Sequence, residues 1–156
     1  MKKCLTLLTV AAAFAATPAM ASDFAGVRVE ATAGVDDVTG GVDATDVAYG
    51  AALGYDLQLG KVVVGAEATA ANVFDRADLG AAARLGYVLN ENVLAFTRVG
   101  YTSLDLGARS ADGLTVGGGL EVNLSGPVFV KAEYRYTDFE ANLGRHGALV
   151  GVGFRF

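Results

Sequence analysis

The chain has 156 residues, with 17 acidic side chains against 12 basic ones and a formal charge of −5, a balance that argues against nucleic acid as a partner. Its one cysteine is Cys4; once an N-terminal leader is removed, the chain has no disulfide and no thiolate for catalysis or metal binding. The length allows one domain of modest size.

The first element is that leader. Met1, Lys2 and Lys3 give a positive start, Leu5 to Ala16 an apolar core, and Ala19-Met20-Ala21 a small-residue cleavage site before Ser22. These are the three parts of a secretory signal. The apolar run is shorter than the ~20 residues of a spanning helix and is rich in alanine, which favours removal over permanent anchoring. Cys4 precedes the apolar core instead of following it, so it is not placed for a lipoprotein-type cleavage. Residues 1–21 are therefore expected to be a cleaved signal peptide and residues 22–156 a single barrel domain.

Eight segments of alternating polarity follow, with spans Ala25 to Val35, Val47 to Tyr55, Lys61 to Asn72, Leu79 to Leu89, Val93 to Ser103, Leu114 to Leu124, Val128 to Asp138 and Gly147 to Phe156. Most match the ~9–11 residues of a tilted membrane strand. No sustained 3.6-residue apolar period competes with them. The connections Asp56 to Gly60, Asn90-Glu91-Asn92 and Ser125-Gly126-Pro127 are tight. Those at Asp36 to Asp46, Val73 to Asp78, Leu104 to Gly113 and Phe139 to His146 are looser and rich in Asp, Gly and Asn. The fold expected is all-β: an eight-stranded antiparallel up-and-down transmembrane β-barrel with short periplasmic turns and longer outside loops.

Alternation alone also suits a soluble barrel with an apolar interior, so the composition of the two faces decides. The polar face carries Arg28, Glu30, Glu67, Arg84, Arg98, Glu121, Lys131, Glu133, Arg135 and Arg155, with mostly Gly, Ala or Thr between them. That is too sparse for a solvated surface. It suits a narrow lumen in which each long charged side chain needs a small neighbour. The other face, for instance Val27, Val29, Ala31 and Ala33, or Leu114, Val116, Leu120 and Val122, is uncharged, as lipid contact requires.

Tyr49, Tyr55, Tyr87, Tyr101, Tyr134 and Tyr136 all fall on the apolar face and divide by height into two groups, an expected aromatic girdle at the membrane interfaces. Phe96 and Phe129 fall on the inward parity and do not fit that scheme. Turn lengths predict a register in which Glu121 faces Lys131, Glu67 faces Arg84, Arg98 faces Gly119, and Arg84 faces Arg98. A lumen network centred on Glu67, Arg84, Arg98, Glu121 and Lys131 is expected from this counting.

Other motifs carry less. Gly117-Gly118-Gly119 and Gly151-x-Gly153 precede no helix that could meet a phosphate, so nucleotide binding is set aside. His146 is the only histidine, reads as a solvated loop residue, and has no serine in a nucleophile motif with it. Glu67 and Glu133 read as structural partners of arginine in preference to acid or base catalysts. Asp36, Asp37, Asp43 and Asp46 match no defined calcium loop and read as solubilising. No catalytic, metal or cofactor site is expected.

With the leader, the eight segments and the Gly153-Phe154-Arg155-Phe156 ending in hand, the chain resembles the small outer-membrane β-barrel superfamily, which includes opacity-type surface proteins and the OmpA transmembrane barrel. The resemblance implies residence in the outer membrane of a Gram-negative bacterium, contact with its lipid and lipopolysaccharide, chaperone escort, and insertion by the barrel-assembly machinery. Gly153, Phe154 and Phe156 would form the signal that this machinery reads. Opacity adhesins carry long variable loops, whereas the longest loop expected here, Asp36 to Asp46, is short. The functional expectation is a monomeric structural or surface protein, no enzyme, with a lumen plugged by charged side chains. The alternatives are a narrow small-solute porin, a lipid-modifying enzyme and a periplasmic ligand-binding barrel.

Overall fold

The computed structural model describes residues 24–39, 44–73, 75–105, 110–139 and 143–156. The expected signal peptide, and Asp43 of the loop acids, lie outside these described residues. Eight strands follow in order: β1 (Gly26–Thr39), β2 (Ala44–Leu59), β3 (Val62–Val73), β4 (Arg76–Asn90), β5 (Val93–Asp105), β6 (Ser110–Asn123), β7 (Val128–Phe139) and β8 (Leu143–Arg155). Each pairs antiparallel with its sequence neighbour, and β8 returns to β1 to close the barrel. Both ends of the described chain meet at one rim, where the Phe156 N–H donates to Val27 O at 2.8 Å. This rim also carries the turns at 60–61, 91–92 and 124–127 and is called the turn end below; the opposite rim is the loop end.

The strands run further than their polar sequence suggested, and the expected contrast between tight and loose connections does not hold. Asp36 pairs with Asp46 and Val38 with Ala44, Val73 with Arg76, Asp105 with Ser110, and Phe139 with Leu143. The physical reason is alternation. A polar residue can continue a ladder if its side chain reaches a partner inside or water at the rim, and Asp36 and Asp78, both buried, do the first. The β3–β4 hairpin turns through Asp75 at φ 56, a conformation that Asp adopts more readily than most residues.

Turns displaced by one residue move the register without moving the faces. Glu121 faces Lys131 and Arg84 faces Arg98, as the counting predicted. Glu67, however, faces Ala82 in place of Arg84, and Arg98 faces Gly117 in place of Gly119. Each differs by two positions because the turn is centred one residue earlier than the predicted loop, and an even shift leaves every side chain on its original side.

Burial is inverted relative to a soluble globule. Val116, Leu120 and Val152 are 45%, 49% and 49% exposed, whereas Arg98 and Glu121 are 8% and 0% exposed. A continuous apolar exterior of this kind is a lipid-facing wall. Tyr49, Tyr87, Tyr101 and Tyr134 are exposed on it, with Tyr55 and Tyr136 half-buried.

Val116 lies near the middle of β6 on the exterior, so Val116→Arg is expected to cost about 2–4 kcal/mol of folding stability in bilayers, the penalty of a lipid-facing cation near the midplane. Denaturant titration in phospholipid vesicles checks this, and Val116→Leu should stay close to the parent.

Candidate functional site in the barrel lumen

The inward positions bring all the lumen residues named from sequence into one interior and add four that sequence reading had assigned to turns or loops: Asp36, Asp56, Asp78 and Arg145. At the turn end, Arg28 sits at the centre of three carboxylates. Its Nε donates to Asp56 at 3.0 Å, its Nη1 to Glu30 at 3.3 Å, and its Nη2 to Glu67. Arg84 and Arg155 share Glu121, each at 2.6 Å, and both also approach Asp56, at 3.6 and 3.4 Å. Arg155 donates further to Asn123 at 3.2 Å.

Higher up, Arg98 bridges Glu67 at 2.8 Å and Glu133 at 3.0 Å. Lys131 bridges Glu30 at 2.5 Å and Glu133 at 2.9 Å. Nearer the loop end, Arg135 meets Asp36 at 3.2 Å, while Arg145 meets Asp78 at 2.6 Å and Asp36 at 3.7 Å. Thr102 donates to Asp78, and Thr115 and Thr137 share a hydrogen bond of 2.8 Å.

Among the described residues these contacts form two clusters. The larger joins Arg28, Arg84, Arg98, Lys131 and Arg155 to Glu30, Asp56, Glu67, Glu121 and Glu133; the smaller joins Arg135 and Arg145 to Asp36 and Asp78. Each cluster carries equal numbers of opposite charges. Isolated ions in a dry interior would cost several kcal/mol apiece; sharing nearly every carboxylate between two or three cations offsets that cost and uses the several donors of each guanidinium.

The pairs predicted from register are not the pairs that form. Glu67 binds Arg28 and Arg98, and Lys131 binds Glu30 and Glu133, although Lys131 stands directly opposite Glu121. Across a narrow lumen a long side chain reaches strands beyond its neighbour, so backbone register does not determine ionic partners. The signal that could have found the four missed residues was parity: extending the alternation of β1, β2, β4 and β8 by one or two positions places each of them inside.

Phe96 and Phe129 turn inward because their rings serve the cations. The Arg84 guanidinium lies 4.3 Å from the Phe96 centroid, and that of Arg155 lies 5.0 Å from Phe129, within the range of cation–π attraction. Arg145 stands similarly over Phe139 at 5.1 Å. Glycines provide the space. A Cβ on Gly54 would lie 2.9 Å from the Arg28 guanidinium carbon, and one on Gly147 would strike Asp36. Gly153, read from sequence as part of a terminal signal, also leaves room for the Phe129 ring. Among the described residues, cavities of about 10 and 20 Å³ lie in the upper lumen, each the size of about one water site.

His146 is a strand residue on the outer wall and not a loop residue. It pairs with Tyr136 across β7–β8, its Nδ1 shares a 2.6 Å hydrogen bond with the Tyr134 hydroxyl, and the Tyr136 ring lies 4.8 Å away. Of the loop acids, Asp36 and Asp46 share the inner face while Asp37 turns outward to accept from Thr45 at 2.8 Å, so they do not converge on one point.

A closed eight-strand barrel with a charged lumen and an apolar exterior narrows the comparison with known proteins. Residues 6–156 match the family model described as outer membrane protein beta-barrel domain. The chain belongs to that family. It is an outer-membrane barrel of the Gram-negative envelope. No curated protein matches it. Among solved structures it is similar to Neisserial surface protein A (NspA), at 17% identity over 84% of this chain and 97% of that one, with a TM-score of 0.57. It is likewise similar to Ail, the attachment invasion locus protein of Yersinia pestis, at 16% identity over 84% and 99%, with a TM-score of 0.57. The N-terminal barrel domain of Pseudomonas aeruginosa OprF matches at 16% identity over 85% and 99%, with a TM-score of 0.56. At these identities the similarity concerns the fold.

Glu121 is fully buried and serves both Arg84 and Arg155. Glu121→Ala removes the closest carboxylate of two buried cations, leaving them their longer contacts to Asp56, and is expected to lower folding stability by about 3–5 kcal/mol, whereas Asp138→Asn, on the exposed wall, should shift it by no more than ~0.5 kcal/mol. Equal urea midpoints for the two variants would refute the role given to Glu121.

Proposed function

We propose that this barrel is a monomeric structural or surface component of the outer membrane whose lumen is closed by its ion-pair clusters. The observation that carries this reading is the cross-lumen pairing of charged side chains, with cavities of about 10 and 20 Å³ among the described residues between them. Side chains paired across the lumen in this way oppose the passage of a hydrated ion. A narrow small-solute porin is the second reading, and it requires the shared carboxylates to exchange partners and leave an open file.

Catalysis has less support. His146 engages Tyr134 on the lipid side of the wall, and the lumen carboxylates of Glu67 and Glu133 are held by cations. Ail has been described with the heparin analogue sucrose octasulfate. Among the described residues the loop end exposes Asp75, Asp105 and Asp138 as well as Arg76, a balance that favours neither a sulfated polyanion nor direct contact with lipopolysaccharide phosphates.

The partners proposed are outer-membrane lipid and lipopolysaccharide around the wall and, during biogenesis, periplasmic chaperones and the barrel-assembly machinery. Phe154 and Phe156, 50% and 76% exposed, are available at the turn end to be read together with Gly153. The turn end then faces the periplasm.

Refolded protein in planar bilayers is expected to show no stable single-channel steps; reproducible open levels would favour the porin. In cells, deletion of Phe156 should strongly reduce the folded, heat-modifiable fraction in the outer membrane while Asp43→Ala leaves it unchanged. Normal insertion without Phe156 would remove the case for a terminal signal.

A further inference from the structure

Below the larger ionic cluster, at the turn end, the lumen changes character. Phe24, Val63 and Leu94 are each fully buried and pack together, with Val88 against them. Val63 and Leu94 are inward residues of the wall, but Phe24 precedes β1 and belongs to no strand. It reaches the interior because Gly26 holds φ +122, a backbone conformation open to glycine and strained for other residues. A Cβ at this position would also collide with the Phe156 carbonyl. The inward segment is secured twice: the Phe24 N–H donates to Gln58 Oε1 at 3.1 Å, and the Arg155 guanidinium lies 5.6 Å from the Phe24 ring. Gly86 makes the matching space on the wall, since a Cβ there would lie 2.9 Å from Leu94 Cδ1.

The upper lumen contrasts with this. Cavities there share Thr69, Ala71, Arg98 and Arg135 in their walls, and the buried Arg98 Nε, Arg135 Nε and Arg145 Nη1 atoms beside them find no acceptor among the described residues, as is also true of Arg84 Nε and Nη1 lower down. Polar, water-sized spaces beside such donors take up water. A ring of aliphatic and aromatic side chains excludes it, because a narrow apolar constriction dewets.

We propose that Phe24 is a hydrophobic stopper, swung into the turn-end mouth by Gly26, that keeps water out of the lower lumen, so that the interior is wetted only from the loop end. The proposal rests on the closed-lumen reading and adds which residue seals which mouth. It also gives the larger cluster a reason to persist: with water excluded from below, Arg28, Arg84 and Arg155 have no competing solvent at their carboxylates.

The test uses the absence of cysteine after Cys4. Val63→Cys, a small apolar exchange at a fully buried position, places a reporter behind the stopper in the protein refolded into phospholipid vesicles. A charged methanethiosulfonate reagent should label it slowly with Phe24 in place and on the order of tenfold faster in Phe24→Ala, as expected when a local seal is removed. Phe24→Leu should restore protection. Heat-modifiable mobility verifies that each variant is folded; if alanine impairs folding, Phe24→Val should give an intermediate labelling rate. Equal rates with and without the ring would overturn the stopper. Conductance is a separate readout, since the clusters above still fill the lumen in Phe24→Ala: a conducting parent protein counts against the closed lumen, and equal labelling rates count against Phe24.

Discussion

Every backbone N–H and C=O that crosses a hydrocarbon layer needs a partner within the protein, and for strands this is met only when the sheet has no edge. The pairing of β8 with β1, continuous from Arg28 opposite Arg155 to Thr39 opposite Gly144, therefore underlies everything else in the molecule. Once the sheet is closed, the two-residue period of a strand sends alternate side chains into a space that eight strands make only wide enough to fill. The exterior then has to suit acyl chains. The interior has to balance its own charge.

How it balances follows from geometry and dielectric together. Carboxylates and guanidiniums in a dry space stay ionised only if each finds opposite charge and enough donors or acceptors. Asp56 receives contacts from Arg28, Arg84 and Arg155, while Glu30, Glu67, Glu121 and Glu133 each bridge two cations. The division into two clusters, each with as many acids as bases, means that neither half of the lumen depends on long-range compensation from the other. Small inward residues are the steric half of the same arrangement: Gly54 lies under Arg28 and Gly147 beside Asp36 and Arg135, where any larger side chain would displace the ions.

The wall was legible from the chain because it obeys one rule. Period two named the eight strands, the lipid face and the inward positions from Arg28 to Arg155, and it survived errors in turn position because the register shifts they caused, at Glu67 and Arg98, were even. Partner choice was less legible, since Lys131 faces Glu121 across the ladder yet binds Glu30 and Glu133; that choice is made across the lumen, where sequence spacing has no bearing. Asp36, Asp56, Asp78 and Arg145 were hidden by composition, because short runs of Asp and Gly look like loop until the far wall supplies the partner that lets them remain in a strand. The role of Phe24 lay beyond periodicity as well: one residue outside the strand pattern, turned by a single glycine, has no periodic signal.

The ionic lumen also solves a problem that an apolar lumen would leave open. If both faces of each strand were apolar, slipping the register by one residue would cost little, because either face could meet lipid. Here a one-residue slip turns Arg28, Glu30, Glu67, Arg84, Arg98, Glu121, Lys131 or Glu133, depending on the strand, out into hydrocarbon, at about 2–4 kcal/mol for each Arg or Lys near the midplane. β3, β5 and β6 each carry a single charged member of the clusters, Glu67, Arg98 and Glu121, and their register is held also by steric fit, as at Gly65 beside Asp56 and Gly117 beside Arg98 and Arg135. The lumen charges therefore contribute to choosing one barrel among neighbouring registers as well as to stabilising it, and small residues do that work on the strands where charge is sparse.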